Sequence, residues 1–155
     1  MAITSALCSS FKQELLAMSP HTAADTYKLV LIKAGHTGTY GASTTSVGTP
    51  GTGTPSSSNV GTDAVAASGG YSSVDGITLA GFSVTLDGST AVLTFTDPSA
   101  LSGVTASADG AIIYNASRSN RALAVLSFGS TVTSTAGSFD INLPAATAAA
   151  GLIRI

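Results

Sequence analysis

The strongest constraint on the fold is a stretch of alternating residues, FSVTLDGSTAVLTF, at positions 82–95. Phe82, Val84 and Leu86 alternate with the polar residues Ser83 and Thr85, as side chains on the two faces of a β-strand do. Asp87–Gly88 follows, and an Asp-Gly pair readily takes the positive φ values of a type I′ turn. A second apolar run ends the stretch, which therefore predicts an antiparallel hairpin.

Similar short segments occur along most of the chain, and turn residues separate them. TYKLVLIK at 26–33 is apolar on both faces, as expected for a strand packed within a sandwich. Further strands are predicted at 63–68, 77–82, 104–107, 110–115, 122–130, 138–143 and 151–155, with a loop at 96–103. Regular short strands with polar turns predict an all-β fold, a single jelly-roll-like β-sandwich of about 8 strands.

One short N-terminal helix is predicted at about residues 4–18. Apolar residues recur there at helical spacing, at Leu7, Phe11, Leu15 and Met18, with Leu16 beside them. Ser10 and Gln13 resemble a capping box, which offers a second, tighter start. An amphipathic helix of this size must dock on its own sheet or on a neighbouring subunit.

A low-complexity stretch, STTSVGTPGTGTPSSSNVGT, occupies 43–62 and contains no charged or aromatic residue. The residues before it supply only a helix and one strand, which is too little for a separate core. We therefore interpret 34–62 as a long exposed loop of one domain spanning 1–155, whose main sandwich is 63–155 plus the strand at 26–33. The alanines at 145–150 are compatible with a helical turn or a loop.

Charged residues make up only 9% of the chain, and the six Lys and Arg residues form no basic stripe. Neutralising nucleic-acid phosphates requires such cations, so nucleic acid is not an expected partner. No apolar run approaches the length that spans a membrane. A surface rich in Ser and Thr lets subunits pack closely without desolvating many charges, which favours a component of an assembly.

Residues with catalytic or metal-binding chemistry do not cluster in the sequence. His21 and His36 lack Cys or Glu at ligand spacing, and we interpret both as exposed polar residues. Five aspartates recur about every twelve residues at predicted turns, which turn chemistry explains. They are Asp63, Asp75, Asp87, Asp97 and Asp109. Cys8 is interpreted as a small buried residue. We expect no enzyme activity, no cofactor and no metal.

Three arginines are candidates for contacts with other molecules. Arg118 and Arg121 flank a predicted turn, where they are either solvated hairpin charges or partners of an anion or carboxylate across a subunit interface. Arg154 lies in the apolar last strand. If its neighbours Ile153 and Ile155 face inward, its guanidinium faces outward or meets an acidic partner.

Three segments together resemble a family of small virion proteins of tailed bacteriophages. They are SSFKQELL (9–16), ADGAIIYNASRSNRALAVLSFGS (108–130) and LPAATAAAGLIRI (143–155). The resemblance covers most of the chain outside 43–62. It implies a capsid cement (decoration) protein of jelly-roll type. Two positions depart from the family pattern: Asp109 stands where members often have a basic residue, and Leu101 where they often have Trp.

The resemblance implies a structural protein on the capsid exterior that binds the major capsid protein and stabilises contacts between capsid subunits. Self-association as a homodimer or homotrimer suits such a clamp. The candidate interface residues are Phe11, Leu15, Leu16, Arg118, Arg121 and Arg154. Alternatives are another virion component (a head–tail connector, tail or fibre protein) or a module that binds carbohydrate or the host surface.

Overall fold

Two antiparallel sheets form a sandwich-like arrangement in a computed structural model that describes residues 1–155. The elements are β1 (Ala6–Leu7), α1 (Ser9–Leu16), β2 (Tyr27–Lys33), β3 (Ile77–Leu79), β4 (Ser83–Asp87), β5 (Thr90–Thr94), β6 (Leu101–Asn115), β7 (Arg121–Phe139) and β8 (Ile153–Arg154). The larger sheet has the strand order β1-β7-β6-β2-β3, and the smaller has the order β4-β5-β8. The prediction of an all-β fold with a short N-terminal helix is confirmed.

Strand β2 forms the centre of the core. Four consecutive residues, Leu29 to Ile32, are at most 1% exposed, so both faces of the strand are covered. β2 pairs with β6 on one side and with β3 on the other. A strand buried on both faces must read as a continuous apolar run, and LVLI does so.

Strands β6 and β7 form one long hairpin, whereas the sequence predicted a loop at 96–103 and several shorter strands. β6 already begins at Leu101, and β7 continues through the polar segment 131–137. Register shifts interrupt the pairing, for example between Ala108 and Gly110. The second half of β7, residues 129–139, which we call distal β7, is mostly exposed. Its side chains therefore need not be apolar, and the sequence there lacks the usual strand pattern.

An aromatic cluster joins the smaller sheet to the larger one. Tyr27 of β2 stacks on Phe82, with ring centroids 4.8 Å apart, and lies 5.2 Å from Phe95. Phe82 immediately precedes β4 and Phe95 immediately follows β5. The cluster therefore packs the open end of the β4–β5 hairpin against β2. Such aromatic pairs contribute about 0.5–1.5 kcal/mol beyond the area that they bury.

The predicted β4–β5 hairpin is confirmed, but its turn differs in register. Asp87 pairs with Thr90, so the two central residues are Gly88 and Ser89 rather than Asp87 and Gly88. Only Gly88, with φ of 62°, has a positive φ in this turn. A positive φ at the first central residue alone matches a type II′ turn, which also suits the twist of a two-residue hairpin.

Helix α1 is shorter than predicted because the residues before it pair with a sheet. Ala6 and Leu7 form β1 against β7, so the helix begins at Ser9 instead of residue 4. No capping box forms: Cys8 is the N-cap residue, and the hydroxyl of Ser10 is buried without a partner. No helix in the chain has the length and apolarity needed to cross a membrane.

The segment 34–60 contains no helix or strand, but it is less exposed than expected. Tyr40, Val47 and Val60 are fully buried and belong to the same hydrophobic core as the sheets. The backbone N–H of Val60 donates to the carbonyl of Val47 at 2.9 Å, which closes the Pro/Gly-rich excursion into a compact loop. The exposed part is mainly residues 51–58.

One predicted strand, at 63–68, is absent, and the predicted strands at 77–82, 138–143 and 151–155 are shorter than predicted. Residues 63–68 begin in a 3-10 turn at Gly61–Asp63 and make only isolated bridges. Ala64 pairs with Ile32 and the N–H of Val65 donates to Leu31, which is too short a contact with β2 to form a strand. Residues 140–143 lie beyond the end of β7, and 145–150 form turns. The terminal strand is confirmed as β8, which pairs with β5.

Candidate functional site

Four of the nine large exposed apolar residues line grooves where α1 meets the smaller sheet: Leu15, Leu16, Val84 and Ile155. Leu16 is 87% exposed and Ile155 is 65% exposed. Both line a groove of about 350 Å³ that we call the α1 groove, formed by Leu7, Lys12, Leu15, Leu16, Arg154 and Ile155. Large exposed apolar residues grouped in this way mark interaction sites more often than isolated ones do.

A second, wholly apolar groove of about 160 Å³ adjoins the α1 groove. Leu15 and Ile155 line both grooves, and the second is completed by Phe11, Val84, Ala91, Leu93 and Ile153. The strand pairing explains this composition, because Val84 lies opposite Leu93 and Leu93 lies opposite Ile153. Residues directly opposite share a face of the sheet, so one face of β4-β5-β8 is apolar and continues into α1.

A buried aromatic ring, that of Phe11, anchors helix α1 to the core. Phe11 is 1% exposed and packs edge-on against His21, with ring centroids 4.9 Å apart. Its ring is therefore part of the core and contributes only a small area to the floor of the second groove. Leu15, one turn further along the same face, is 37% exposed, and Leu16 is 87% exposed. Two of the three predicted helix residues therefore remain available for contact.

A polar network fixes the end of α1 to the β6–β7 turn. Glu14 accepts a hydrogen bond from Nε2 of His21 at 3.0 Å and forms an ion pair with Arg121 at 2.7 Å. The side-chain amide of Asn115 donates to Nδ1 of His21 and to a carboxylate oxygen of Asp25. Since Nδ1 accepts this bond, the imidazole hydrogen lies on Nε2 and points at Glu14.

The network accounts for the two arginines that sequence analysis left open. Arg118 donates from Nε to Asp25 at 3.3 Å, and Arg121 pairs with Glu14. Both carboxylates belong to the same chain, so neither arginine needs an acidic partner from outside. The hydrogen bond from Asn115, assisted by the N–H of Thr22 and by Arg118, lowers the pKa of Asp25 below its ordinary value.

Arg154 also finds its partners within the chain. Its Nη1 atom donates to the carbonyl oxygens of Ala148 and Ala149 at 2.9 and 2.6 Å. The guanidinium therefore holds the 145–150 turn against β8. Its neighbour Ile153 is buried as expected, but Ile155 is not, and the expectation that both face inward is wrong for Ile155.

The histidines are not exposed, contrary to the sequence interpretation. The side chains of His21 and His36 are only 2% and 9% exposed. Nδ1 of His36 lies 3.4 Å from Oδ2 of Asp109, and Oδ1 of Asp109 accepts a hydrogen bond from Thr131 at 2.6 Å. Asp109 lies within β6, not at a turn as the sequence predicted. Residues 73 positions apart meet here, which no local spacing reveals.

Asp63 is also more than a turn residue. Its carboxylate is fully buried and accepts hydrogen bonds from the N–H groups of Thr37 and Gly38 and from the hydroxyl of Tyr40. Burial raises the pKa of this carboxyl, but these donors outweigh it and the pKa is lowered overall. Burial, together with the hydrogen bond to Asp63 and the charge of its carboxylate, raises the pKa of Tyr40 above its ordinary value.

Cys8 is fully buried, as expected, and burial raises the pKa of its thiol to about 12. The thiolate is the reactive form of cysteine, so this side chain is chemically inert in the folded protein. No group of three or more His, Cys, Asp or Glu side chains converges in a way that could hold a metal ion.

The surface residues that sequence analysis missed are Val84, Leu86 and Ile155. Alternation in the hairpin showed that Val84 and Leu86 share a face. It gave no information on whether that face meets the core or the solvent.

Comparisons of the chain with protein-family models, with curated proteins and with solved structures give no match.

Proposed function

We propose that this chain is a structural virion protein of a tailed bacteriophage, a cement protein that binds the outer surface of the icosahedral head. In this proposal the α1 groove contacts the major capsid protein and stabilises the junctions between capsid subunits. The proposal combines the resemblance of three sequence segments to phage virion proteins with the presence of an exposed apolar groove on a β-sandwich.

The α1 groove is the observation that carries the proposal. Leu16 and Ile155 are largely exposed beside the partly exposed Leu15, and only Lys12 and Arg154 add charge at the rim. Fully burying one leucine side chain contributes about 1.5–3 kcal/mol. A groove with two or three such anchors suits a partner that inserts apolar side chains between them.

A low surface charge and repetition on a lattice suit the same role. Because only 9% of the residues are charged, close packing against a capsid desolvates few ions. Each contact need only be modest, since many copies on a fixed icosahedral lattice act together. No covalent step is required of any side chain in this role.

Substitution of the most exposed helix residue tests the proposal. Leu16→Glu places a charge in the α1 groove without removing a buried side chain. We expect it to abolish co-sedimentation of the purified protein with phage heads that lack the protein. Val74→Glu is the matched control, because Val74 is exposed but lies outside the groove, and it should bind normally.

Equal binding of both variants would contradict the α1 groove as the capsid contact, and failure of the parent protein to bind heads would contradict the cement role. The copy number then separates the remaining virion roles. A cement protein occurs in hundreds of copies per particle, whereas a connector or fibre protein occurs in few. Quantitative gel analysis of purified particles measures this number directly.

A further inference from the structure

We propose that strand β4 pairs with β4 of a second copy of this chain, so that the protein is a two-fold homodimer with a continuous six-stranded sheet. The order of the strands across the dimer is β8-β5-β4 followed by β4-β5-β8 of the second copy.

The outward backbone groups of β4 belong to Val84 and Leu86. Ala91 of β5 exchanges two hydrogen bonds with Ile155, at 2.8 and 3.0 Å, so its backbone faces β8. Successive residues of a strand face opposite sides, and Thr90 and Val92 therefore face β4. Their partners Asp87 and Thr85 face β5 in return.

Val84 and Leu86 consequently direct their N–H and C=O groups away from β5. No backbone hydrogen bond from outside the hairpin reaches residues 83–87. Their side chains are also 56% and 76% exposed. The same two residues thus present unpaired backbone groups and uncovered apolar side chains, and a strand added to this edge satisfies both.

The other edges of the two sheets are protected in ways that β4 is not. β1 and β8 are two residues long and β3 is three, whereas β4 has five residues in regular register. The free edge of distal β7 is polar, and positive φ values at Gly129 and Ala136 accompany its register shifts. β4 carries no lysine, proline or bulge, the usual devices against edge pairing.

The sequence of β4, SVTLD, is complementary to itself in the antiparallel sense. A two-fold axis at Thr85 places Val84 opposite Leu86 of the second copy, and Leu86 opposite its Val84. Both of these residues face outward, so the two pairs exchange four backbone hydrogen bonds. The two copies of Thr85 meet at the axis, where a Thr–Thr pair is favourable.

The charge pattern is also compatible with two identical strands. Asp87 is the only charged residue of β4, and this register places it opposite Ser83 of the second copy. The two Asp87 residues are separated by about four residues along the strands, or about 13 Å. This exceeds the Debye length of about 8 Å at physiological ionic strength. Asp87 already accepts a hydrogen bond from the N–H of Ala148 at 2.6 Å.

The dimer has a consequence for capsid binding, and this consequence rests on the proposed function. Val84 shares a groove with Leu15, so α1 lies on the Val84 face of the sheet. A two-fold axis perpendicular to the sheet leaves both helices on that same side. The dimer thus presents two α1 grooves in one direction, as a clamp across two capsid subunits requires.

Analytical ultracentrifugation of the isolated protein tests the dimer without any phage particle. We expect a species of twice the chain mass of 15.1 kDa. Leu86→Lys should shift it to the monomer, because the lysine removes an apolar contact and two such charges approach at the axis. Val132→Lys is the matched control on the other open edge, distal β7, and should remain dimeric.

Amide hydrogen exchange gives a second test that does not depend on a variant. The N–H groups of Val84 and Leu86 have no acceptor within the chain, so only a partner strand can protect them. We expect both amides to be protected in the parent protein and to exchange rapidly in Leu86→Lys, while the circular dichroism spectrum is unchanged.

A monomeric parent protein, or a Leu86→Lys variant that remains dimeric, would overturn the proposal. Rapid exchange of both amides in the parent would do the same. These results concern the isolated protein and leave the binding of monomers to phage heads to be judged from the Leu16→Glu experiment.

Discussion

At the scale of single residues, a few buried polar side chains organise long loops around the sandwich. Asp63 is the clearest case, because it receives two backbone N–H groups and the Tyr40 hydroxyl at distances of 2.7–3.0 Å. A buried carboxylate is stable only when such donors surround it. The start of the loop after β2 is therefore fixed by a side chain at the other end of the same loop, 25 or 26 residues further along the chain.

Asp63→Asn should lower the free energy of unfolding by about 1.5–3 kcal/mol, since hydrogen bonds to a charged group are replaced by weaker or mismatched ones. Chemical denaturation monitored by circular dichroism measures the change. Asp75→Asn is the control, because that side chain is 79% exposed, and it should change stability little. A similar loss in both variants would show that Asp63 has no special role.

The lowered pKa of Asp63 also predicts the direction of a pH dependence. A carboxyl whose pKa is lower in the folded than in the unfolded state stabilises the fold above the unfolded pKa. That stabilisation is lost as the pH falls through the folded pKa. Asp25 shifts in the same direction. The parent protein should lose stability in acid more steeply than Asp63→Asn, and parallel curves would contradict this cause.

Cys8 gives a prediction about reactivity. Because burial raises the pKa of its thiol to about 12, the native protein should not react with a thiol reagent at pH 8. The same protein in denaturant should react with one equivalent, since the sequence has a single cysteine. Rapid reaction in the native state would mean that β1 and α1 open readily.

At the scale of elements, α1 separates a structural face from an exposed one. Phe11→Ala should lower the free energy of unfolding by about 3–5 kcal/mol, because it leaves a cavity under the helix. Leu16→Ala should cost less than about 0.5 kcal/mol, as expected for an exposed side chain. Equal effects on the unfolding midpoint would show that the helix is not anchored by Phe11.

The sequence predicted the elements whose signals are local. The β4–β5 hairpin follows from alternation and a Gly-containing turn, and β2 follows from an unbroken apolar run. Distal β7 was missed because its exposed faces carry Ser and Thr, which do not distinguish a solvated strand from a loop. The start of α1 was misplaced because pairing of Ala6 with Val125, which is non-local, overrides helical periodicity.

The candidate surface was only partly predictable for the same reason. The helix pattern predicts Leu15 and Leu16 as candidate contact residues, and the structure places both at the surface. The α1 groove also needs Ile155, which reaches α1 only because β8 pairs with β5. The pairings of Arg121 with Glu14 and of His36 with Asp109 depend likewise on the folded sheet and have no signature in residue spacing.

In the molecule as a whole, the sandwich carries two adjacent surfaces. One is the α1 groove, which we propose binds the capsid, and the other is the β4 edge, which we propose binds a second copy. Leu15 and Val84 line a shared groove, so the two surfaces are continuous. In this proposal the protein acts through the contacts that it adds to a capsid lattice.

The thermal stability of phage particles with and without the protein tests the proposed cement role. Phage heads stripped of it should release their genome at a lower temperature, as measured with a DNA-binding dye during heating. Adding back the parent protein should restore the release temperature, and adding back Leu16→Glu should not. An unchanged release temperature in stripped particles would contradict the account.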